Sequence, residues 1–404
     1  MNIEISPGSK LLLERAKRFI SEQVLPVESE YFKEVAKGDR WQHTPRMVEI
    51  LDGLKNAARE QGLWNFFLPE KGPGMCAVDY AYIAEATGHS LLAAEAFNCS
   101  APDTGNMEVL LRYGSEQQKE EWLQPLLAGE IRSAFAMTEP GVASSDATNI
   151  AMTAVEENGH WVINGEKFYI SGAGDPRCKI LICMVLTDPD SGKHTRHSQI
   201  LVPMDTPGVE IVRPMHVFSL DDAPHGHMHL RFTNVKVPFE NVISGRGRGF
   251  EISQGRLGPG RIHHCMRAIG AAEKALALMC ERALARKAFG KRLAELGANH
   301  DIIADCRTQI DMARLLTLQT AYVIDHHGVK AARVLISQIK VVAPNTALMV
   351  IDEAIQLHGA SGVSQDFPLA HMYMQMRTLR LADGPDAVHR RVVARQELGK
   401  YIQA

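Results

Sequence analysis

Apolar residues recur at three- and four-residue intervals through the first third of the chain, at two-residue intervals through its middle, and at helical intervals again to its end. Behind Ser6 and Pro7, the positions Leu12, Ala16, Phe19, Ile20 and Val24 share one face of a predicted helix, with serine suited to its cap and proline to its first turn. Thr44-Pro45 opens another such run that Gly62 closes, and Ser115-Glu116-Gln117-Gln118 has the form of a capping box ahead of Trp122, Leu123, Leu126 and Leu127. Residues 1–130 therefore predict a helical domain. From 131 to 241 the pattern is that of strands, in runs such as Trp161-Val162-Ile163, 180–186 and 227–232. Asn158-Gly159, Asn164-Gly165, 188–192 and Thr206-Pro207-Gly208 separate them as turns, which predicts an antiparallel sandwich or barrel. After Gly245-Arg246-Gly247-Arg248-Gly249 the helical period returns and holds over 242–404. Ile269, Ala272, Leu276, Met279 and Cys280 mark one long helix and 303–324 a second, Pro344 is expected to kink or divide a third, and Phe367 begins the last region. Long helices with more than one apolar face predict a bundle that also buries a subunit interface.

Composition narrows the class of partner. The chain of 404 residues is 45% hydrophobic and 23% charged with a net charge of −3, so a polyanion-binding surface is not expected and nucleic acid is not an expected partner. Seven cysteines without a C-x-x-C pair read as reduced thiols of a cytoplasmic protein, and no metal centre is expected. No apolar run approaches membrane-spanning length, so no membrane partner is expected either, and the mixed charges of residues 1–20 fit a packed helix rather than a transit peptide.

The candidate chemistry gathers around 135–146, Phe135-Ala136-Met137-Thr138-Glu139-Pro140-Gly141-Val142-Ala143-Ser144-Ser145-Asp146. A strand-like run ends there in a Pro-Gly turn with small residues and hydroxyls, which suits an anionic or heterocyclic ligand and equally suits a plain turn. Met-Thr-Glu-Pro-Gly followed by Ser-Asp resembles the flavin-contacting segment of the acyl-CoA dehydrogenases. Asn164-Gly165-Glu166-Lys167-Phe168-Tyr169-Ile170-Ser171-Gly172-Ala173 resembles that family's N-G-x-K-x-W-I-[TS]-x-[GA] segment, Arg286-Lys287-Ala288-Phe289-Gly290-Lys291 its R-x-x-F-G-K segment, and Gln356-Leu357-His358-Gly359-Ala360-Ser361-Gly362 its Q-x-x-G-[GA]-x-G turn.

The resemblance implies a mainly α protein with a central β domain, FAD as cofactor, an acyl-CoA thioester as substrate, electron-transferring flavoprotein as acceptor, and a homodimer or homotetramer. Desaturating a thioester needs a base for the α-proton, an acceptor for the β-hydride and a stabilised carbonyl oxygen, and no side chain accepts hydride. On the family's pattern Phe135, Ala136, Met137 and Thr138 lie along the flavin, Tyr169 covers its ring and Ser171 meets its N5. Arg286 and Phe289 reach the dinucleotide of a neighbouring subunit, while Gln356, Gly359 and Ala360 form the adenine-side turn. The loop 141–146 carries one residue more than the common pattern, so Ser144 and Ser145 compete for the pyrophosphate and substrate roles.

Leu381-Ala382-Asp383-Gly384-Pro385-Asp386 aligns with the family's catalytic Tyr-Glu-Gly-Thr turn and makes Asp383 the candidate base, its N–H holding the thioester oxygen with Gly384 beside it. The same residues make a good helix start, with Pro385 at the first helical position. Asp383 is a methylene shorter than the usual Glu, and Pro385, in a cofactor-contacting position, lacks the usual Thr hydroxyl. Arg256-Leu257-Gly258-Pro259-Gly260-Arg261-Ile262-His263-His264 and this turn resemble a subgroup found downstream of a phosphotransferase-like kinase domain in longer animal proteins. The implied substrates are 4-hydroxyacyl-CoA thioesters passing through a 4-phosphorylated form. Arg248, Arg256, Arg261, His263 and His264 are candidate phosphate ligands, with packing the alternative for the histidines. Oxidation of acyl-CoA leads; flavin-assisted loss of phosphate, nitroalkane oxidation and a non-catalytic flavin-bearing nucleic-acid-binding protein are the alternatives.

Overall fold

The computed structural model describes residues 1–68 and 75–402. Helices α1 (Pro7–Phe19), α2 (Leu25–Val35), α3 (Pro45–Glu60), α4 (Ala77–Thr87), α5 (Ala93–Ala96), α6 (Asp103–Tyr113), α7 (Glu116–Gln118) and α8 (Gln124–Ala128) come first. Strands β1 (Arg132–Ala136), β2 (Thr153–Glu157), β3 (His160–Ser171), β4 (Cys178–Leu186), β5 (His197–Pro203), β6 (Val209–Pro214) and β7 (His227–Pro238) follow. Then come α9 (Gly249–Ala285), the hairpin β8 (Lys287–Ala288) and β9 (Lys291–Arg292), and helices α10 (Gly297–Ala331), α11 (Arg333–His358), α12 (Leu369–Leu379) and α13 (Asp386–Leu398). The chain forms two compact units: Met1–Pro26 with Phe66–Ala94 and Gly258–Ala404, and Val27–Asn65 with Glu95–Leu257. Their boundary falls inside α9, so the units do not follow the blocks of helix and strand.

In the first unit the predicted cap of α1 is present: Ser6 accepts from the Ser9 N–H, and Asp79 of α4 accepts from the hydroxyls of both serines. Asp325 of α10 caps α4 in turn, accepting from the N–H groups of Ala77 and Val78 at 2.7 and 3.0 Å. Pro344 lies inside α11 without dividing it. Its ring removes one helical hydrogen bond, and the adjacent Asn345 amide donates to the Val341 carbonyl at 2.6 Å. The stretch Arg333–Val363 reaches a mean hydropathy of 1.6, which corrects the expectation that no apolar run approaches spanning length. Much of it is core: Ile336, Ile339, Ala343, Ala347, Val350, Ile351 and Ala354 are buried, as is Lys340, whose ammonium donates to the Leu379 carbonyl.

The second unit holds a seven-stranded curled sheet in the order β1-β4-β2-β3-β7-β6, with β5 on β4. It is mixed rather than purely antiparallel, because β1 runs parallel to β4. Asn158-Gly159 makes the predicted tight turn, both residues having positive φ. Asn164-Gly165 does not: it sits within β3 as a bulge opposite β7. Gly165 has φ +144°, and a Cβ there would fall 2.7 Å from Met152 Cγ, so the position needs glycine for close approach and not for chain reversal. Trp161, Ile163, Leu181, Cys183, Ile200, Leu230 and Val235 form the sheet's core.

The helices of this unit attach to β1 through buried charge. Asp103 accepts from Arg132 Nε and from the Ser133 N–H and hydroxyl at 2.7 and 2.6 Å. Glu95 meets Arg177, Arg132 and Lys55 at 2.7, 2.9 and 3.3 Å. Burial works to raise the Glu95 pKa, but Arg177, Arg132 and Lys55 hold it well below the usual carboxylate range.

Candidate active site

The first group of predicted residues lies at the end of β1 and along β3. The Phe168 N–H donates to the Thr138 carbonyl at 3.0 Å, and the Thr138 hydroxyl donates to the Phe168 carbonyl, so the loop after β1 is stitched to β3. Behind it Lys167 is fully buried, donating to the carbonyls of Met137 and Met184 at 2.9 and 2.6 Å and to Glu139 at 2.8 Å. Glu139 also accepts from the N–H groups of Ala151 and Met152. Burial lowers the Lys167 pKa while Glu139 raises it, a buried ion pair whose hydrogen-bonding capacity is well used. These contacts set the path of Ala136, Met137 and Thr138.

The structure separates the two competing serines. Ser144, half-buried, accepts from the Glu139 N–H at 2.9 Å and shapes the loop, whereas Ser145 is exposed. A second register shift, between Lys167 and Ile170, puts Tyr169 at φ +54° with its ring 46% exposed and Phe168 edge-on at 4.9 Å. Ser171 Oγ lies 2.8 Å from His227 Nδ1 across the β3–β7 ladder. Phe135 carries the Arg256 guanidinium over its ring at 4.0 Å, and Arg256 also donates to Asn106 at 3.1 Å. Arg256 is thus held by packing, and Arg248 pairs with Glu251 at 2.8 Å.

The second group is built on the turn before α13. Asp383 has φ +54° and Gly384 φ +103°. Arg261 Nε donates to the Asp383 carbonyl at 2.9 Å, and His389 Nε2 lies 3.2 Å from the same oxygen. With Nε2 as that donor, His389 Nδ1 accepts from the Ser337 hydroxyl at 3.3 Å. A Cβ on Gly384 would fall 2.9 Å from His389 Nε2, so only glycine leaves room for this brace. Asp386 Oδ2 takes hydrogen bonds from Arg380 and Asn345 at 2.9 and 3.2 Å. Pro385 is the N-cap rather than the first helical residue, because Asp386 already occupies that place. Burial lowers the Arg261 pKa and Asp383 raises it.

The two histidines part, as adjacent positions on a helix must. His264 Nε2 lies 3.5 Å from Asp383 Oδ2, with Arg267 3.4 Å from its Nδ1. His263 is buried against Tyr80 at 4.8 Å edge-to-face, and burial, then Arg267 and His264, hold its pKa well below 6.5. Its edge contact with Tyr80 is the packing alternative the sequence left open beside a phosphate role.

The third and fourth groups lie apart from Asp383 along the chain. Phe289 and Gly290 form the tight turn of the β8–β9 hairpin, and Arg286 sits at its base, exposed. Phe289 is 96% exposed. Gln356, Gly359 and Ala360 lie where α11 ends, all exposed, with Gly359 at φ +64°. Sequence reasoning missed His227, His389 and the Lys167–Glu139 pair as partners. Both members of that pair stand in the quoted motifs, but 28 positions separate them, and no local signal reports such a contact.

Sequence profiles of the acyl-CoA dehydrogenase N-terminal, middle and C-terminal domains match residues 6–130, 134–235 and 247–398. The chain is 52% identical over 401 residues to mouse Acyl-CoA dehydrogenase family member 10, covering 98% of this chain and 37% of that protein. It is 52% identical to rat Acyl-CoA dehydrogenase family member 11, covering 96% of this chain and 50% of that protein. It therefore spans about half, or less, of these animal relatives. A Mycobacterium tuberculosis relative, Probable acyl-CoA dehydrogenase FadE2, is 52% identical and 94% covered. Among solved structures, one assigned to the acyl-CoA dehydrogenases of Mycobacterium abscessus superposes with a TM-score of 0.95 at 51% identity, covering 98% of this chain and all of that one. Butyryl-CoA dehydrogenase of Megasphaera elsdenii superposes with 0.83 at 27% identity, covering 98% and 100%. With three domain profiles in sequence and relatives matched over nearly their whole length, the chain belongs to the acyl-CoA dehydrogenase family of flavoprotein oxidoreductases.

Proposed function

We propose that this chain is an FAD-dependent acyl-CoA dehydrogenase in which Asp383 removes the α-proton of the thioester. The observation that carries this reading is the Asp383 turn. A non-glycine residue in the left-handed region, braced by Arg261 and His389 on its own carbonyl, stores local strain of a kind that concentrates at functional sites. Bracing the backbone fixes where the carboxyl points, and His264 Nε2 lies 3.5 Å from its Oδ2. The Asp383 N–H is the candidate donor to the thioester oxygen, where charge grows as the proton leaves.

The residues on β1 and β3 fit a flavin. Tyr169 presents a half-exposed ring from a strained backbone, a cost that stacking on a flat heterocycle offsets; Ser171 adds a hydroxyl on the same strand, and Thr138 another on the loop stitched to it. When bound, FAD supplies the hydride acceptor that amino acids lack. Arg286 is a forked donor suited to a pyrophosphate, and electron-transferring flavoprotein is the acceptor this chemistry suits. The test is Asp383→Asn. The variant keeps its FAD and still perturbs the flavin spectrum on binding acyl-CoA, while turnover falls by on the order of 10³-fold. Turnover like that of the parent would make the turn a helix start and nothing more.

A second reading, flavin-assisted loss of phosphate from a 4-phosphoacyl-CoA, begins with the same proton abstraction and is favoured by His264 beside Asp383 and by Arg267 beside His264. Hydrogen bonds to the phosphate, charge-assisted from Arg267, give 4-phosphopentanoyl-CoA a kcat/KM roughly tenfold above that of pentanoyl-CoA. His264→Ala reduces that preference. Equal values for the two thioesters would leave plain dehydrogenation.

A further inference from the structure

Ser171 is hydrogen-bonded to a histidine, and that histidine faces an acid. His227 Nδ1 is 2.8 Å from Ser171 Oγ, and His227 Nε2 is 3.8 Å from Asp222 Oδ2. The order Ser, His, acid is that of a hydrolase triad, but the 3.8 Å gap is longer than a hydrogen bond. A nucleophile also needs a base already bonded to its acid, so the arrangement suits orientation rather than attack.

We propose that His227 and Asp222 are positioning residues that set the direction in which the Ser171 hydroxyl donates, and thereby bias the redox balance of the bound flavin. This rests on the flavin reading above. A serine hydroxyl has one proton, and a neutral imidazole has one donor and one acceptor nitrogen. Burial lowers the His227 pKa, so near neutrality the ring is uncharged and its tautomer decides. While Asp222 is a carboxylate it favours the proton on Nε2; Nδ1 then takes the Ser171 proton, and Ser171 presents only lone pairs. Once Asp222 is protonated that preference ends. The proton on Nδ1 can then be donated to Ser171, whose own proton turns to the ligand.

Burial, and then Asp221, push the Asp222 pKa up to about 6, so the change falls near that pH. Asp221 is itself bound by Arg40 at 2.6 and 2.8 Å. His225, 6.4 Å from His227, has its pKa lowered to about 3 by burial and by Arg132 and His227, with Asp175 and Glu95 opposing, and does not titrate in this range. On β7 the neighbouring His229 is paired with Glu166 at 3.0 Å. Oxidised flavin accepts at N5 and reduced flavin carries N–H there, so Ser171 favours the reduced form above about pH 6 and the oxidised form below it.

Two measurements on the purified full chain test this. Equilibrating the holoenzyme with an indicator dye from pH 5 to 8 is expected to reveal, beyond the ordinary pH slope, a roughly fivefold change in the reduced-to-oxidised ratio near pH 6, the size of one ordinary hydrogen bond. Asp222→Asn and His227→Phe abolish it. Independently, ¹⁵N NMR is expected to show the His227 proton moving from Nε2 toward Nδ1 as pH falls through 6 in the parent and not in Asp222→Asn. A flat ratio with FAD still bound, or a His227 tautomer unchanged across pH 6, overturns the proposal. A chain that holds no FAD would overturn the flavin reading instead, and the NMR result alone would then decide whether Asp222 governs His227.

Discussion

Asp383 illustrates how much a single carboxylate depends on its surroundings. Its carbonyl is held by Arg261 and His389, and its carboxyl faces His264. Burial, followed by Arg261 and Lys340, lowers the His389 pKa to about 4, so the folded chain holds it neutral where an unfolded chain would begin to protonate it below about 6.5. The folded state binds fewer protons across that interval. The stability His389 contributes is therefore intact above about pH 6.5 and lost as the pH falls toward 4. Urea midpoints measured between pH 7 and 4 should decline in the parent and decline less in His389→Gln. Identical declines would place the acid sensitivity elsewhere.

The elements show which local signals can be trusted. Ser6, Thr44 and Ser115 cap the helices they were expected to cap, because a side chain three positions from an orphan N–H is a local matter. Asn164-Gly165 has the same letters as a hairpin turn and serves as a bulge, because what glycine relieves there is Met152 on a neighbouring segment. Charge gathered from separate elements is equally silent in one dimension. Glu95 on α5 draws Lys55 from α3, Arg132 from β1 and Arg177 from the loop before β4. Glu95→Gln leaves the buried Lys55 and Arg132 and the half-buried Arg177 short of their counter-ion, and a loss of about 3–5 kcal/mol in unfolding free energy is expected. A loss under about 1 kcal/mol would mean that Asp103 and Asp175 alone suffice for these cations.

For the molecule as a whole, the hairpin after α9 is the part that makes least sense in one copy. Phe289 is almost wholly exposed at the tip of a turn that also carries Arg286, Lys287, Lys291 and Arg292. An aromatic so presented costs solubility unless it is covered, and basic neighbours suit a dinucleotide phosphate. We expect a homodimer or homotetramer in which Arg286 and Phe289 complete a neighbour's cofactor site. Sedimentation of the parent should give two or four copies, and Arg286→Ala with Phe289→Ser should weaken FAD retention. A monomer that keeps its FAD in the double variant would rule this out.

The order helical, β, helical could be read from periodicity and caps, since these depend on neighbours a few residues apart. So could the motif residues around Thr138, Tyr169, Ser171 and Asp383, because each stands in a short contiguous segment. Folding decided the rest: that His264 reaches Asp383 while His263 packs against Tyr80, that Arg256 lies on Phe135, that Ser144 rather than Ser145 holds the loop, and that α11 is a core helix despite its hydropathy. Each of these turns on which groups far apart in sequence share a few ångströms of low-dielectric interior. There burial and a single neighbour decide charge and hydrogen bonding, and a linear pattern has no term for either.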